Sequence, residues 1–219
     1  MPIRALLFDH DGTLVDSEPV HFHMWERILA DHGVTLLEET YIAQYAGKPT
    51  TDNAKDMVER FHLERPHQEL AAKKSLVTQR RLDTEAFPLR PAVKEVIDFC
   101  HAQGLMLGVV TGAGRNGVEA TLRHNGLHRH FATVVSGDDV TASKPAPDVY
   151  LLALERLGIA ASECFAIEDT EHGVSAATAA GISCIAIPNR MTRQHDFSAA
   201  TTVLENFDEL FTWLETAQG

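Results

Sequence analysis

Short apolar runs alternate along most of the chain with stretches whose apolar positions recur at helical spacing. The runs are "IRALLF" at 3–8, "LMLGVV" at 105–110, "FATVVS" at 131–136, "CFAI" at 164–167 and "SCIAI" at 183–187. Each has the pattern of a buried strand. Helical stretches fall near 91–103, 114–125, 146–157, 171–180 and 206–217. Strands alternating with helices predict an α/β fold, a Rossmann-like parallel sheet with helices on both faces.

The pattern changes between residues 16 and 87, where no convincing strand occurs. "EPVHFHMWERILADHG" starts after Ser17, holds Pro19 in its first turn and stops at Gly33, as helix start and stop signals predict. "TDNAKDMVERFHL" and "PHQELAAKKSLVTQRRLD" have amphipathic spacing. The expected organisation is an α/β core of residues 1–15 and 88–219, with a small all-helical insert, residues 16–87, after the first strand. "FPLRPAV" at 87–93 returns the chain to the core.

Composition narrows the partners. The 219 residues are 44% hydrophobic and 23% charged, an ordinary globular balance. The formal net charge of -12 repels polyphosphate backbones, which argues against nucleic acid. A chain of this charge that handles phosphate must gather cations locally, through a metal or a few placed Lys and Arg. No stretch approaches the ~20 apolar residues of a membrane span. The N-terminal apolar run is too short for a signal peptide. Cys100, Cys164 and Cys184 sit among apolar neighbours, odd in number and without C-x-x-C spacing. Buried thiols in a reducing compartment are therefore expected, in a soluble cytoplasmic protein that is a monomer or weak homodimer.

Acidic residues stand where strands end. The first run closes on "FDHDGT", which places Asp9 and Asp11 two apart directly after a buried strand. Buried acids are costly unless neutralised, and ligands of open α/β sheets sit at the carboxyl ends of strands. Asp-Gly is also a common turn pair. "CFAIEDTEHGVSAA" adds Glu168 and Asp169 at another strand end. If the two strands are neighbours, four carboxylates converge, and hard oxygen ligands in that number call for Mg2+. "TASKPAPD" sets Lys144 in a loop stiffened by Pro145 and Pro147. Thr111 ends a further strand, just before a helix N-terminus that can hold an anion.

The stretch "VVTGAGRNG" carries a second possibility. Gly112, Gly114 and Gly117 have the G-x-G-x-x-G spacing of dinucleotide folds, and Asp138-Asp139 follow about 20 residues on, where a ribose-binding acid would sit. A nicotinamide-dependent oxidoreductase is the alternative from a different class. Against it, such a fingerprint belongs on the first strand, and here the first strand carries paired acids. The histidines of "HFH" at 21–23 and "HNGLHRH" at 124–130 are not expected to hold a metal, because helix geometry or a turn separates them.

Taken in order, "DHDGT", Thr111, "SKPAPD" and "IEDTEHGVSAATAAG" resemble the haloacid dehalogenase superfamily of phosphotransferases, over essentially the whole chain. "DGTLVDSEPVHFHMW" is similar to its branch of β-phosphoglucomutase and sugar-phosphate phosphatases. The resemblance implies Asp9 as nucleophile and Asp11 as general acid and base. It implies Mg2+ held by Asp9, the backbone oxygen of Asp11, Asp169 and Glu168. Lys144, Thr111 and the Gly112 N–H would offset or bind phosphate charge. An acid at position 11 favours phosphate-ester chemistry over dehalogenation or phosphonate cleavage. Gly47 and Lys48 match a cap loop that faces substrate in this branch, and His21 matches a position near the hinge. His21 is equally readable as a helix-surface histidine, and Trp25 as core of the helical segment. Mutases of the branch carry a cap arginine where this chain has Thr50. The activity that the resemblance implies is thus hydrolysis of a small phosphate ester, a sugar phosphate in this branch, with a phosphomutase as the alternative.

Overall fold

The computed structural model describes residues 3–218. Six strands form one all-parallel sheet: β1 (Ala5–Phe8), β2 (Met106–Val110), β3 (Phe131–Val135), β4 (Cys164–Glu168), β5 (Ser183–Ala186) and β6 (Thr202–Val203). The spatial order is β3-β2-β1-β4-β5-β6. The first five coincide with the five apolar runs. β6 is the dipeptide Thr202–Val203, too short to show a period. The chain runs outward from β1 through β2 to β3, then returns to place β4 on the other side of β1. β1 and β4 therefore flank the point where winding reverses, and ligands of open α/β sheets bind outside the carboxyl ends of such strands.

The helices fall into two compact units. α1 (Glu18–Ala30), α2 (Glu38–Gln44), α3 (Thr50–Arg60) and α4 (His67–Thr84) make up the unit Ser17–Phe87. α5 (Val93–Ala102), α6 (Arg115–His124), α7 (Asp148–Leu157), α8 (Glu171–Ala179) and α9 (Phe207–Gln218) belong with the sheet. The two-residue period of the strands explains the layers. Ala5 and Leu7 of β1 join a cluster with Val149, Tyr150 and Ala153 of α7 and Val174, Ala176 and Ala177 of α8. On the other side Phe165 of β4 meets Trp213 of α9 edge-on, with ring centres 5.1 Å apart. Phe99 of α5 meets Phe211 of α9 at 4.8 Å. The three cysteines are free and buried in this unit, as their apolar neighbours predict.

In the helical unit, Phe22, Trp25, Ile28 and Leu29 recur at helical spacing on α1 and pack with Tyr41, Tyr45, Met57 and Leu70. Trp25 is core here, at 1% exposure. Two local expectations need amendment. Ser17 stands at the start of α1, but its hydroxyl makes no capping bond; Pro19 and the left-handed Gly33 mark the helix instead. α2 has no counterpart in the sequence reading, because its seven residues bury only Tyr41 and leave no amphipathic stripe. Where the chain leaves the sheet unit and re-enters it, Val15 and Leu89 form an antiparallel bridge.

Candidate active site

Asp9 is the first residue beyond β1. Its N–H donates to Ile167 O at 3.0 Å, so the β1–β4 pairing continues one step past the strand and sets Asp9 beside Glu168. Glu168 is the last residue of β4 and Asp169 follows it. The carboxylates of Asp9, Glu168 and Asp169 each place an oxygen within 4.8 Å of the others. All three residues are buried, at 7%, 0% and 2% exposure. Parallel pairing alone forces this convergence, since both acidic strand ends project from the same edge.

Lys144 enters this cluster from the loop before α7. Its Nζ lies 2.5 Å from Asp9 Oδ1, 2.6 Å from Glu168 Oε1 and 2.9 Å from Val110 O. Burial works against the charge of Lys144, but the two carboxylates outweigh it and hold the ammonium above the ordinary lysine range. Burial raises the Asp9 carboxyl well above the ordinary range; Lys144 opposes the rise, while Glu168 and Asp11 add to it. Asp169 is raised first by burial and then by Asp9 and Glu168, with Thr13 and Arg90 opposing.

Each acid is also held by neighbours. Tyr150 of α7 donates its hydroxyl to Glu168 Oε1 at 2.6 Å. Asp169 accepts from Thr13 Oγ1 at 3.0 Å and from Asn189 Nδ2 at 2.7 Å. Gly12 is left-handed, at φ +85, and a Cβ there would overlap the Asp169 carboxylate. Arg90 donates to Gly12 O at 2.8 Å and Ile187 O at 3.0 Å, tying the turn after β1 to the end of β5.

Asp11 is half-buried, and its carboxylate lies outside the three-acid set. Its Oδ2 is 3.2 Å from His10 Nδ1. Thr111 is buried at the end of β2, where its hydroxyl accepts from the Ala113 N–H at 3.0 Å. Gly112 is exposed beside it, and a Cβ there would crowd the Ser143 hydroxyl at 2.7 Å. The acidic pair after the glycine stretch has internal work. Asp138 accepts from the Arg115 N–H at 2.8 Å. Asp139 accepts from Arg115 at 2.6 Å and from Arg156 at 3.0 Å. Both carboxylates secure the start of α6, which removes the support they lent to a dinucleotide reading.

Gly47, Lys48 and His21 belong to the helical unit. Gly47 is left-handed, and its N–H donates to Glu18 Oε1 at 2.9 Å. Lys48 is exposed. His21 Nδ1 is 3.0 Å from Nζ of Lys74, a lysine only 2% exposed, and its ring stands edge-on to Phe87.

The three-acid cluster suits a hard divalent cation. Three buried carboxylates face one contacting ammonium, which leaves excess negative charge. Glu168 Oε2 is buried without a hydrogen-bond partner. Oxygen-only donors in this number match Mg2+. Among the described residues, this is the one group of three or more acidic, His and Cys side chains close enough to share an ion. Tyr150, Asn189, Arg90 and His10 were not singled out by the sequence. Tyr150 falls within the helical stretch 146–157 and Arg90 within "FPLRPAV", and Asn189 follows β5 with no motif around it.

Residues 6–187 match the sequence profile of the haloacid dehalogenase-like hydrolases. The chain is 35% identical over 181 residues to the fructose-1-phosphate phosphatase YqaB of Escherichia coli (strain K12), a span of 83% of this chain and 94% of that protein. It is 31% identical over 191 residues to the phosphorylated carbohydrates phosphatase of Thermotoga maritima, covering 84% of each. The crystal structure of CbbY from Rhodobacter sphaeroides in complex with phosphate superposes with a TM-score of 0.80 at 29% identity, covering 95% of this chain and 96% of that one. With the profile spanning most of its length and full-length relatives named as phosphatases, this chain belongs to the haloacid dehalogenase-like hydrolases.

Proposed function

We propose that this chain is a Mg2+-dependent phosphohydrolase that cleaves a small phosphorylated metabolite, a sugar phosphate, through an aspartyl-phosphate intermediate. The observation that carries the reading is the meeting of Asp9, Glu168, Asp169 and Lys144 at the reversal point of the sheet. The named activities of the relatives support the carbohydrate class.

Asp9 is the nucleophile. A carboxylate oxygen forms a bond to phosphorus while the ester P–O bond breaks, and Asp11 gives its proton to the departing oxygen. Asp11, now ionised, then takes a proton from water. That oxygen attacks phosphorus, inorganic phosphate leaves and Asp9 is restored. One residue serves both steps because the first leaves it in the state the second needs. Asp9 and Asp169, with Glu168 and the Asp11 backbone oxygen, would hold Mg2+, which supplies positive charge for the phosphoryl oxygens. Lys144 favours the ionised form of Asp9 and holds it in place, and it neutralises charge on the transferring group. Thr111 and the Gly112 N–H bind phosphoryl oxygens. Residues 16–87 act as the cap, in which Gly47, Lys48 and His21 contact the substrate.

A panel of sugar phosphates and p-nitrophenyl phosphate, assayed with Mg2+ and with chelator, tests this reading. Metal-dependent phosphate release that Asp9→Asn abolishes is expected. Undiminished release by Asp9→Asn would sink it. Isomerised sugar phosphate in place of free phosphate would make the chain a phosphomutase.

A further inference from the structure

The residue between the two catalytic aspartates is a histidine, and it is almost completely enclosed. His10 is 1% exposed. Its Nε2 lies 2.8 Å from the hydroxyl of Thr121 on α6, itself 0% exposed. Its Nδ1 lies 3.2 Å from Asp11 Oδ2. An imidazole buried at this depth needs both nitrogens satisfied. A bare Nδ1 would either face a second acceptor or draw the Asp11 hydrogen to itself, away from the leaving oxygen. Nδ1 therefore carries the hydrogen and donates to Asp11. Nε2 is then the acceptor, and the Thr121 hydroxyl is its donor. The chain Thr121–His10–Asp11 thus runs in one direction, from a helix of the core to the Asp11 carboxyl group.

We propose that His10 is a positioning residue for Asp11, holding its carboxyl in the orientation for proton transfer to the leaving oxygen, with Thr121 fixing the imidazole in turn. The proposal rests on the reading of Asp11 as general acid. Asp11 lies in the turn after β1 and is half-exposed. A fixed donor on Oδ2 helps to set the direction of the carboxyl, and misplacing a catalytic group by about 1 Å is costly in rate.

The test exploits the leaving group. A sugar alkoxide needs a proton as it departs, whereas p-nitrophenolate leaves without one. The ratio kcat/KM covers only steps up to loss of the leaving group, so the later attack of water does not blur it. Asp11→Asn should lower kcat/KM on a sugar phosphate by about 10²–10⁴, and far less on p-nitrophenyl phosphate. His10→Leu should show the same one-sided pattern, about tenfold or more on the sugar phosphate. His10→Asn, whose amide nitrogen falls near Nδ1, should recover much of the loss. His10→Gln, whose amide reaches toward Nε2 instead, should not. Thr121→Val keeps the shape of the core and should give a smaller loss with the same selectivity, which covers the case that His10→Leu folds poorly. Equal losses on both substrates, or no loss, in His10→Gln and Thr121→Val would overturn the proposal while leaving Asp11 as the acid. Equal losses on both substrates for Asp11→Asn would overturn the underlying reading, and the proposal with it.

Discussion

Gly173 on α8 leaves room for the carboxylate of Glu168: a Cβ at position 173 would overlap the carboxylate carbon and both oxygens. Glycine inside a helix ordinarily costs about 1 kcal/mol relative to alanine. Here it makes space for a buried acid that receives Lys144 and Tyr150. Gly173→Ala is therefore expected to destabilise the fold by roughly 1–3 kcal/mol, as overpacking does, and to lower Mg2+-dependent activity. In a Glu168→Ala background the same change should be neutral or stabilising. Urea denaturation of the four proteins closes the cycle. An equal effect of Gly173→Ala in both backgrounds would show that the glycine serves something other than Glu168.

In the proposed mechanism Lys144 has a role separable from that of Mg2+. Lys144→Met leaves Asp9 and Glu168 without their contacting cation, and breaking a buried pair of this kind costs about 3–5 kcal/mol. Activity should fall by several powers of ten. The remaining carboxylates are then more negative, so they should attract Mg2+ more strongly. The thermal shift on adding Mg2+ should grow in Lys144→Met while turnover is lost. Saturation to a hundred times Kd is worth about 2.7 kcal/mol, which is well within the reach of a melting curve. A smaller Mg2+ shift than in the wild type would place Lys144 in the metal site itself.

How much of this was legible in the sequence depends on range. Asp9, Glu168 and Asp169 could be found because each follows an apolar run, and parallel strands deliver their ends to one edge. Strand order was not written in any local pattern, yet the two acidic strand ends made the β1–β4 neighbourhood a testable expectation. α2 and β6 escaped because seven residues with one buried side chain, and two residues, carry no period. Asn189, Tyr150 and Arg90 escaped for another reason. Their contacts with Asp169, Glu168 and the Gly12 carbonyl span 20, 18 and 78 residues. Only the folded sheet brings them together. The glycine stretch shows the opposite hazard, a local pattern that matched a dinucleotide fingerprint while its acidic followers were committed to α6.

Asp139 gives the fold a specific acid sensitivity. Burial by itself would raise this carboxyl, but the Ser136 N–H, Arg156, the Ser136 hydroxyl and Arg115 together pull it well below the ordinary aspartate range. A carboxyl depressed in the folded state stabilises that state above its unfolded pKa of about 3.9, and the gain is lost as pH falls through the folded value. Asp139→Asn should thus cost about 1–3 kcal/mol at neutral pH, the range for hydrogen bonds to a charged group. The gap to the wild type should shrink steadily below pH ~4. Urea unfolding of both proteins from pH 7 to pH 3 measures it. A gap independent of pH would mean that shape, and not charge, holds Asp139 in place.

Asn189 holds one oxygen of the Asp169 carboxylate, a proposed Mg2+ ligand. Its amide donates to Asp169 Oδ2 at 2.7 Å and to Gly12 O at 3.2 Å, while its own oxygen accepts from the Met191 N–H at 2.7 Å. The side chain is thereby fixed at both ends, and together with Thr13 it holds the Asp169 carboxylate beside those of Asp9 and Glu168. Groups that orient a metal-binding carboxylate typically contribute 10–100-fold to metal affinity. Asn189→Ala should raise the Mg2+ concentration for half-maximal activity by about that factor, and leave kcat at saturating Mg2+ close to the wild-type value. A purely structural asparagine would behave differently. Its loss would lower the melting temperature and leave the Mg2+ titration where it was.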